Sequence, residues 1–129
     1  MQVDVNQTLV PSYSKERSFI ERATRVVEAH LANDSFSACK FAEELKMNRM
    51  TLHRRLKKLT QMSSTAFIRH IRLKKAAELL RTTDMKVIDI AFAVGFVHTS
   101  YFASCFKQRY GCSPSHYSRR HETPVLQIQ

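Results

Sequence analysis

Positive charge without any negative charge marks a stretch of thirty residues in the middle of the chain. From Lys46 to Lys75 there are ten lysines and arginines and no aspartate or glutamate. So many uncompensated cations repel one another, and the phosphates of a nucleic acid would relieve that repulsion. The complete chain also carries a formal net charge of +10. This charge distribution favours a nucleic-acid-binding protein.

Other kinds of chemistry find little support in the sequence. It contains no paired carboxylates, glycine-rich phosphate loop or nucleophile motif, so we predict that the protein is not an enzyme. Cys105, Cys112 and His116 could bind zinc in principle, but no second ligand pair lies near them, and we expect neither a metal nor another cofactor. The odd number of cysteines, the lack of a secretory signal and the lack of a long apolar stretch predict a cytoplasmic protein.

The pattern of apolar residues predicts an all-α fold. Only two glycines and three prolines occur, too few for a turn-rich β protein. Apolar residues at helical spacing, with Ser113-Pro114 opening a short last helix, predict seven helices. The predicted helices span residues 15–32, 38–45, 49–59, 65–81, 86–94, 99–110 and 114–119. Ser37, Asn48 and Ser64 are expected to cap the second, third and fourth of them. Residues 1–14 are expected to be a linker or disordered, residues 15–120 the domain, and residues 121–129 a tail.

Two segments of the chain share one pattern of apolar residues. Phe41, Ala42, Leu45, Met47, Leu52 and Leu56 match Ile90, Ala91, Val94, Phe96, Phe102 and Phe106, with one extra residue before Phe102. In each segment a small alanine would let two helices cross closely, and a break precedes the second helix. This is the arrangement of a helix-turn-helix motif. We therefore predict two such units, 37–60 and 86–110, joined by a long central helix over 64–82; two generic helical hairpins in a bundle are the alternative.

The same residues resemble the DNA-binding domain of the AraC/XylS family of transcription regulators. The resemblance covers about residues 17–119 and is strongest from Arg72 to Arg120. The matching elements there are R-L-x-x-A-x-x-L-L, I-A-x-x-V-G-F, S-Y-F-x-x-x-F-K and G-x-S-P-x-x-Y. The segment F-I-R-x-I-R-L-K-K-A-A-E-L-L, from Phe67, further resembles the output domains of hybrid two-component sensors. That resemblance implies an effector or sensor domain that is missing from this chain.

The family resemblance implies a protein that binds double-stranded DNA and acts with RNA polymerase. Two recognition helices would each enter the major groove. The base-reading residues it implies are Met50, His53, Arg54, Thr99, Ser100, Ala103 and Ser104. The phosphate contacts it implies are Arg49, Arg55, Lys57, Lys58, Arg72, His98 and Lys107. The central helix, about 25 Å long at about 1.5 Å per residue, would hold the two recognition helices about one DNA turn apart.

Several of these residues have simpler interpretations. His53 could be an exposed surface histidine, and Arg54 could contact phosphate only. Thr99 and Ser100 could serve as a helix cap. For the whole chain, the alternative function is that of a small basic RNA-binding helical protein, although the sequence lacks an aromatic platform on which bases stack.

The chain departs from the family pattern at three positions. Lys46 and Gln61 occupy turn positions where many relatives have glycine, and a non-glycine residue is strained there if its φ is positive. Ser104 stands where relatives often have lysine or arginine. The second recognition helix is therefore expected to provide weaker base contacts than the first.

Overall fold

Helices are the regular elements of the computed structural model, which describes residues 11–119 and their side chains from residue 14 onward. Seven helices and no strand occur in this range, which confirms the all-α prediction. They are α1 (Pro11–Ala29), α2 (Ala38–Glu44), α3 (Arg49–Thr60), α4 (Ser64–Thr82), α5 (Val87–Ala93), α6 (Thr99–Tyr110) and α7 (residues 114–119). None of them combines the length and the hydrophobicity that crossing a membrane requires.

The helices are distributed over two compact units. Unit 1 contains the residues up to Ala29 together with Ser37–Ile68, and unit 2 contains His30–Phe36 together with the residues from Arg69 onward. Unit 1 holds the first predicted helix-turn-helix, α2 and α3, whereas unit 2 holds the second, α5 and α6. The 19-residue helix α4 begins in unit 1 and ends in unit 2, and it corresponds to the predicted central helix.

The core of unit 1 is formed by one face of each of its helices. Its buried apolar residues are Phe19, Ala23, Val27, Phe41, Ala42, Leu45, Leu52, Leu56, Phe67 and Ile68. The rings of Phe41 on α2 and Phe67 on α4 stack with their centroids 5.9 Å apart. Because Leu52 and Leu56 are completely buried, the opposite face of α3 points to solvent.

The core of unit 2 is richer in aromatic rings. Its buried cluster consists of Leu73, Ala76, Ala77, Leu80, Ile90, Ala91, Val94, Phe96, Phe102, Cys105 and Phe106. The Phe102 ring lies 5.1 Å from the Phe96 ring and 5.9 Å from the Phe106 ring, measured between centroids. Tyr117 on α7 meets Phe106 edge to face at 5.2 Å. These edge and tilted contacts are favourable ring geometries, and they anchor α6 and α7 to the same core.

Some helix ends differ from the prediction. α1 begins at Pro11 and ends at Ala29, so residues 11–14 are helical rather than linker and residues 30–32 lie outside the helix. The chain turns after α1 because Asn33 N–H donates to the His30 carbonyl and Phe36 N–H donates to the Asn33 carbonyl. Local apolar spacing did not indicate this turn. Residues 1–10 and the predicted tail 121–129 lie outside the described residues.

The three predicted helix caps had three different outcomes. Asn48 caps α3 as predicted, since its Oδ1 accepts hydrogen bonds from Met50 N–H and Thr51 N–H. Ser37 occupies the cap position of α2, but its side chain makes no capping hydrogen bond. Ser64 is the first residue of α4 and does not cap it; Ser63 Oγ accepts from Ala66 N–H at 3.1 Å instead. The prediction for Ser64 was therefore wrong by one residue.

Candidate nucleic-acid interface

The exposed face of α3 carries the side chains that the sequence assigns to base reading. Met50 is 72% exposed, an unusual state for a large apolar side chain, and His53 and Arg54 are exposed beside it. These three residues, with Lys57 and Lys58, line an open groove of about 560 Å³. Methionine, histidine and arginine on one exposed helix face provide methyl contacts, hydrogen bonds and positive charge to a single ligand surface.

The remaining cations of α3 divide into two groups. Arg49, Lys57 and Lys58 are exposed, and no cation of α3 forms an ion pair within residues 14–119. Arg55 is different because it is half-buried and its guanidinium lies over the Phe19 ring, 4.1 Å from the centroid. This cation–π contact ties α3 to α1. The assignment of Arg55 to a DNA phosphate stays a prediction.

The turns around α3 keep a backbone that normally requires glycine. Lys46 has φ of 56° and Gln61 has φ of 66°, and no other non-glycine residue of the described chain has a positive φ. These are the two positions at which the sequence departs from the glycine of many relatives. Left-handed backbone at a residue with a Cβ carries strain, so unit 1 folds with a cost at each end of its recognition helix.

The second predicted reader presents shorter side chains. Phe102 and Phe106 are completely buried, which leaves the opposite face of α6 to Thr99 and Ala103, both half-buried, and to Ser100 and Ser104, both exposed. The residues predicted to contact phosphate, His98 and Lys107, are also exposed.

The cap of α6 bears on the alternative interpretation of Thr99 and Ser100. The cap position belongs to His98, whose side chain makes no capping hydrogen bond, and Thr99 and Ser100 are the first two residues of the helix itself. Neither residue is therefore the helix cap.

Arg72 binds backbone carbonyls that the sequence did not indicate. One terminal nitrogen, Nη2, donates to the Asn33 carbonyl at 2.8 Å, and the other, Nη1, donates to the Gly95 carbonyl at 3.4 Å. Burial lowers the pKa of Arg72, although the Asp34 carboxylate opposes this change. Two backbone carbonyls of unit 2 thus hold the Arg72 guanidinium beside the Gly95 turn, and its assignment to a DNA phosphate stays a prediction. Its partners are distant in sequence, so no local signal indicated this role.

His70 does not add to the positive charge of the surface at neutral pH. Burial lowers its pKa, and the nearby positive charges of Arg109 and Lys74 lower it further. A neutral imidazole is therefore favoured there.

A second groove escaped the sequence analysis. It has a volume of about 640 Å³ and is lined by Ala38, Asn48, Arg49, Met50, His53, Ser63, Ser64 and Thr65. No lining residue is acidic. The wrongly placed cap at Ser64 was the only hint that the first turn of α4 has an unusual role.

Exposed apolar residues were also missed, and they cluster in sequence within unit 2. They are Met85, Ile88, Phe92, Val97 and Tyr101, each 40% exposed or more. Helical spacing places Ile88 and Phe92 on one side of α5, which a search for exposed apolar stripes would have found.

Comparison with known proteins agrees with this geometry. A family model described as a helix-turn-helix domain matches residues 41–120, which include the second predicted unit and all but the first four residues of the first. The chain is 35% identical over 108 residues to Histidine kinase P4 of Formosa agariphila, an alignment that covers 84% of this chain and 8% of that protein. It is 34% identical over 88 residues to the HTH-type transcriptional activator RhaS of Escherichia coli, with 68% of this chain and 31% of that protein covered.

Among solved structures, the chain resembles the DNA-binding domain of AdpA, described as a global transcriptional factor in complex with a target DNA. The TM-score is 0.74 at 25% sequence identity, and the alignment covers 83% of this chain and 96% of that one. The chain thus spans almost all of a DNA-binding domain but less than a third of the two curated relatives. The matched family consists of transcription regulators rather than enzymes. The chain belongs to the AraC-type family of helix-turn-helix DNA-binding transcription regulators.

Proposed function

We propose that this chain regulates transcription by binding specific sequences of double-stranded DNA, with α3 and α6 reading adjacent segments of the major groove. The observation that carries the proposal is the face of α3, where exposed Met50, His53 and Arg54 lie among cations that form no ion pair with the side chains the structure describes. Exposed basic and apolar groups on a capped helix next to a tight turn match the chemistry and the shape of a major groove.

Six exposed residues of α3 have a proposed partner on DNA. Arg54 donates two hydrogen bonds to a guanine, Met50 packs on a thymine methyl group, and His53 donates or accepts one bond at a base edge. Arg49, Lys57 and Lys58 contact phosphates, which fix the position of the helix without selecting a sequence.

The proposed contacts of α6 are weaker. Ser100 and Ser104 offer single hydroxyls, and Thr99 and Ala103 offer small apolar surfaces, so this helix depends more on shape and on bridging water. His98 and Lys107 are proposed to contact phosphate at its two ends.

The wider context is also part of the proposal. The likeness to part of a histidine kinase supports a role as the output segment of a two-component regulator in the cytoplasm, with a sensor or effector domain supplied from outside this chain. Once bound to DNA, the protein would act on RNA polymerase.

The experiment that tests the proposal begins with selection of preferred sites from random duplex DNA. The affinity for a selected duplex and for a scrambled duplex of equal length is then measured across a salt series. We expect both affinities to fall as salt rises, because cations are released from phosphates, and we expect the selected duplex to bind more tightly at every salt concentration. Equal affinities at all salt concentrations would contradict sequence-specific regulation, and tighter binding to single-stranded or hairpin RNA would favour the RNA-binding alternative.

A further inference from the structure

The second groove lies next to the reading face of α3 but is formed by different groups. Met50 and His53 line both grooves, whereas Arg54, Lys57 and Lys58 line only the reading groove. Ser63, Ser64 and Thr65, at the start of α4, line only the second groove. A DNA strand whose bases meet Met50 and His53 would therefore carry its backbone past the start of α4.

The start of α4 offers hydrogen-bond donors to a ligand. The first turn of a helix has N–H groups without partners inside the helix, and its backbone dipoles concentrate positive charge there. Ser63 accounts for two of these groups, since its Oγ accepts from Ala66 N–H and its carbonyl accepts from Phe67 N–H at 2.8 Å. The N–H groups of Ser64 and Thr65 are the first-turn donors that remain for an anion.

The Ser64 hydroxyl provides an independent sign of a missing ligand. Ser64 is only 3% exposed, and its Oγ has no hydrogen-bond partner within the described residues. Buried hydroxyls almost always have a partner, so this one requires an explanation. Because the Oγ is closed to solvent in the free protein, an oxyanion held against the first turn of α4 would supply the acceptor that the hydroxyl lacks after a small outward rotation of the side chain.

The start of α7 in unit 2 can be compared with the start of α4 at Ser64. Ser113 repeats the role of Ser63, because its Oγ accepts from His116 N–H and its carbonyl accepts from Tyr117 N–H. The residue after Ser113 is the buried Pro114, which has neither an N–H nor a hydroxyl. A hydrogen-bond donor at this position is thus not needed to start such a helix. The N–H and the hydroxyl of Ser64 therefore have a role other than starting α4.

Arg49 adds a positive charge to the donors that line the second groove. Its Nη1 donates to the Cys39 Sγ at 3.2 Å, and sulfur is a weak acceptor that a phosphate oxygen readily replaces. We infer that the groove between Arg49 and the first turn of α4 binds one backbone phosphate of the DNA strand that α3 reads, through the Arg49 guanidinium, the Ser64 hydroxyl and the Ser64 and Thr65 N–H groups. This inference rests on the proposed function.

The test combines neutral phosphates with protein variants. Methylphosphonate, which removes one negative charge, replaces single phosphates along each strand of the selected duplex. For the wild-type protein we expect one position near the first half-site to lower affinity about 10-fold, the size of one charged hydrogen bond. Ser64→Ala and Arg49→Gln should each weaken binding to the unmodified duplex, and each should lose less affinity than the wild type when methylphosphonate occupies that same position.

Two further variants distinguish an effect on phosphate binding from an effect on folding. Ser18→Ala, which changes an exposed serine of α1, should bind and respond like the wild type. Ser64→Pro places at the start of α4 the residue type found at Pro114, so this variant should fold. It removes both the N–H and the hydroxyl of Ser64, so it should lose more DNA affinity than Ser64→Ala. The thermal midpoint of free Ser64→Ala should equal or exceed that of the wild type, because the variant loses a hydroxyl without a partner.

The outcomes distinguish this inference from the proposed function. Absence of any preferred duplex would contradict the proposed function itself. If the wild type binds specifically but the losses from Ser64→Ala and methylphosphonate add at every position, only the phosphate site is wrong. Stabilisation of the free protein by inorganic phosphate that depends on Ser64, without such a position on DNA, would assign the groove to a free anion and overturn the inference.

Discussion

The two helix-turn-helix units share one turn geometry but reach it with different residues. In unit 1, Lys46 N–H donates to the Glu43 carbonyl at 3.0 Å and Met47 N–H donates to the Ala42 carbonyl at 2.9 Å. In unit 2, the corresponding bonds from Gly95 and Phe96 have the same two lengths, 3.0 and 2.9 Å. The same hydrogen bonds therefore set the backbone conformation of both turns. The residue type at Lys46 or Gly95 changes only the conformational strain of that backbone.

The surroundings of the two turns explain why one keeps its glycine. A Cβ added to Gly95 would collide with the Leu31 carbonyl oxygen and would lie 2.9 Å from Cζ of Arg72. Lys46, in contrast, is exposed, so its side chain meets no such obstacle. Glycine in unit 2 is demanded by crowding as well as by φ, whereas unit 1 would gain from glycine through φ alone.

The exposed faces of α3 and α6 also differ between the two units. Unit 1, with the more strained turns, presents long and charged side chains on α3, whereas unit 2 presents small ones on α6. Backbone strain and the proposed DNA contacts are thus both greater in unit 1, and we expect that the two can be changed separately.

The largest expected effect comes from adding a methyl group to the crowded turn. Gly95→Ala should destabilise unit 2 by about 3 kcal/mol or more, because it adds a backbone collision to the strain of φ at +92°. Denaturant unfolding of both proteins measures the difference. Gly111→Ala is the matched control, since it has a positive φ but no atom within 4 Å of the added Cβ, and it should cost about 1 kcal/mol. Equal losses would show that crowding plays no part.

Substitutions on α3 should separate base reading from phosphate binding. Arg54→Ala should lose about 1–3 kcal/mol of discrimination at one base position, because a bidentate contact to guanine disappears. Lys58→Ala should weaken binding to all sequences about equally. Affinities for a panel of singly substituted duplexes provide the measurement. If both variants weaken binding uniformly, Arg54 contacts phosphate only.

The two halves of the selected site should differ in sharpness. The half read by α3 should be well defined and the half read by α6 degenerate, with the two about one helical turn apart. Ser104→Arg should raise overall affinity by about 1 kcal/mol through a new charged contact and sharpen the degenerate half. Selection with the wild type and with the variant shows both changes. Two equally sharp wild-type halves, or a sharp half that responds to Thr99 and not to Arg54, would contradict this inequality.

The smallest expected effect is a gain in stability. Lys46→Gly should stabilise unit 1 by about 1 kcal/mol, because relief of the positive φ exceeds the extra entropy of glycine in the unfolded chain. Thermal unfolding of the two proteins tests this, with Lys40→Gly, which places glycine inside α2, as a destabilising control. An unchanged or lower midpoint for Lys46→Gly would show that the turn is not strained.

Local patterns predicted most of the fold, because helices and their buried faces follow from spacing along the chain. Leu52, Leu56 and the cap at Asn48 are examples, and they also predicted which face of α3 is exposed. Contacts between distant residues were not predictable in this way. The hydrogen bond from Arg72 to the Asn33 carbonyl, which spans 39 positions, is an example.

The site shows the same division between local and distant information. Exposure of Met50, His53 and Arg54 followed from the periodicity of one helix, whereas the second groove is lined by residues from three separate segments. A sequence can reveal which residues share a helix face, but a groove formed by the starts of three helices becomes visible only in three dimensions.

The loop His30–Phe36 limits how recombination between related genes can exchange the two units. It precedes the first helix-turn-helix in the chain yet belongs to unit 2, where Asn33 and Gly95 both accept hydrogen bonds from Arg72. A crossover at any single point of the gene would therefore give each product a unit assembled from both parents. Exchange of a whole unit between related regulators would need at least two crossovers, so point substitution on α3 and α6 is the simpler route to a new binding site.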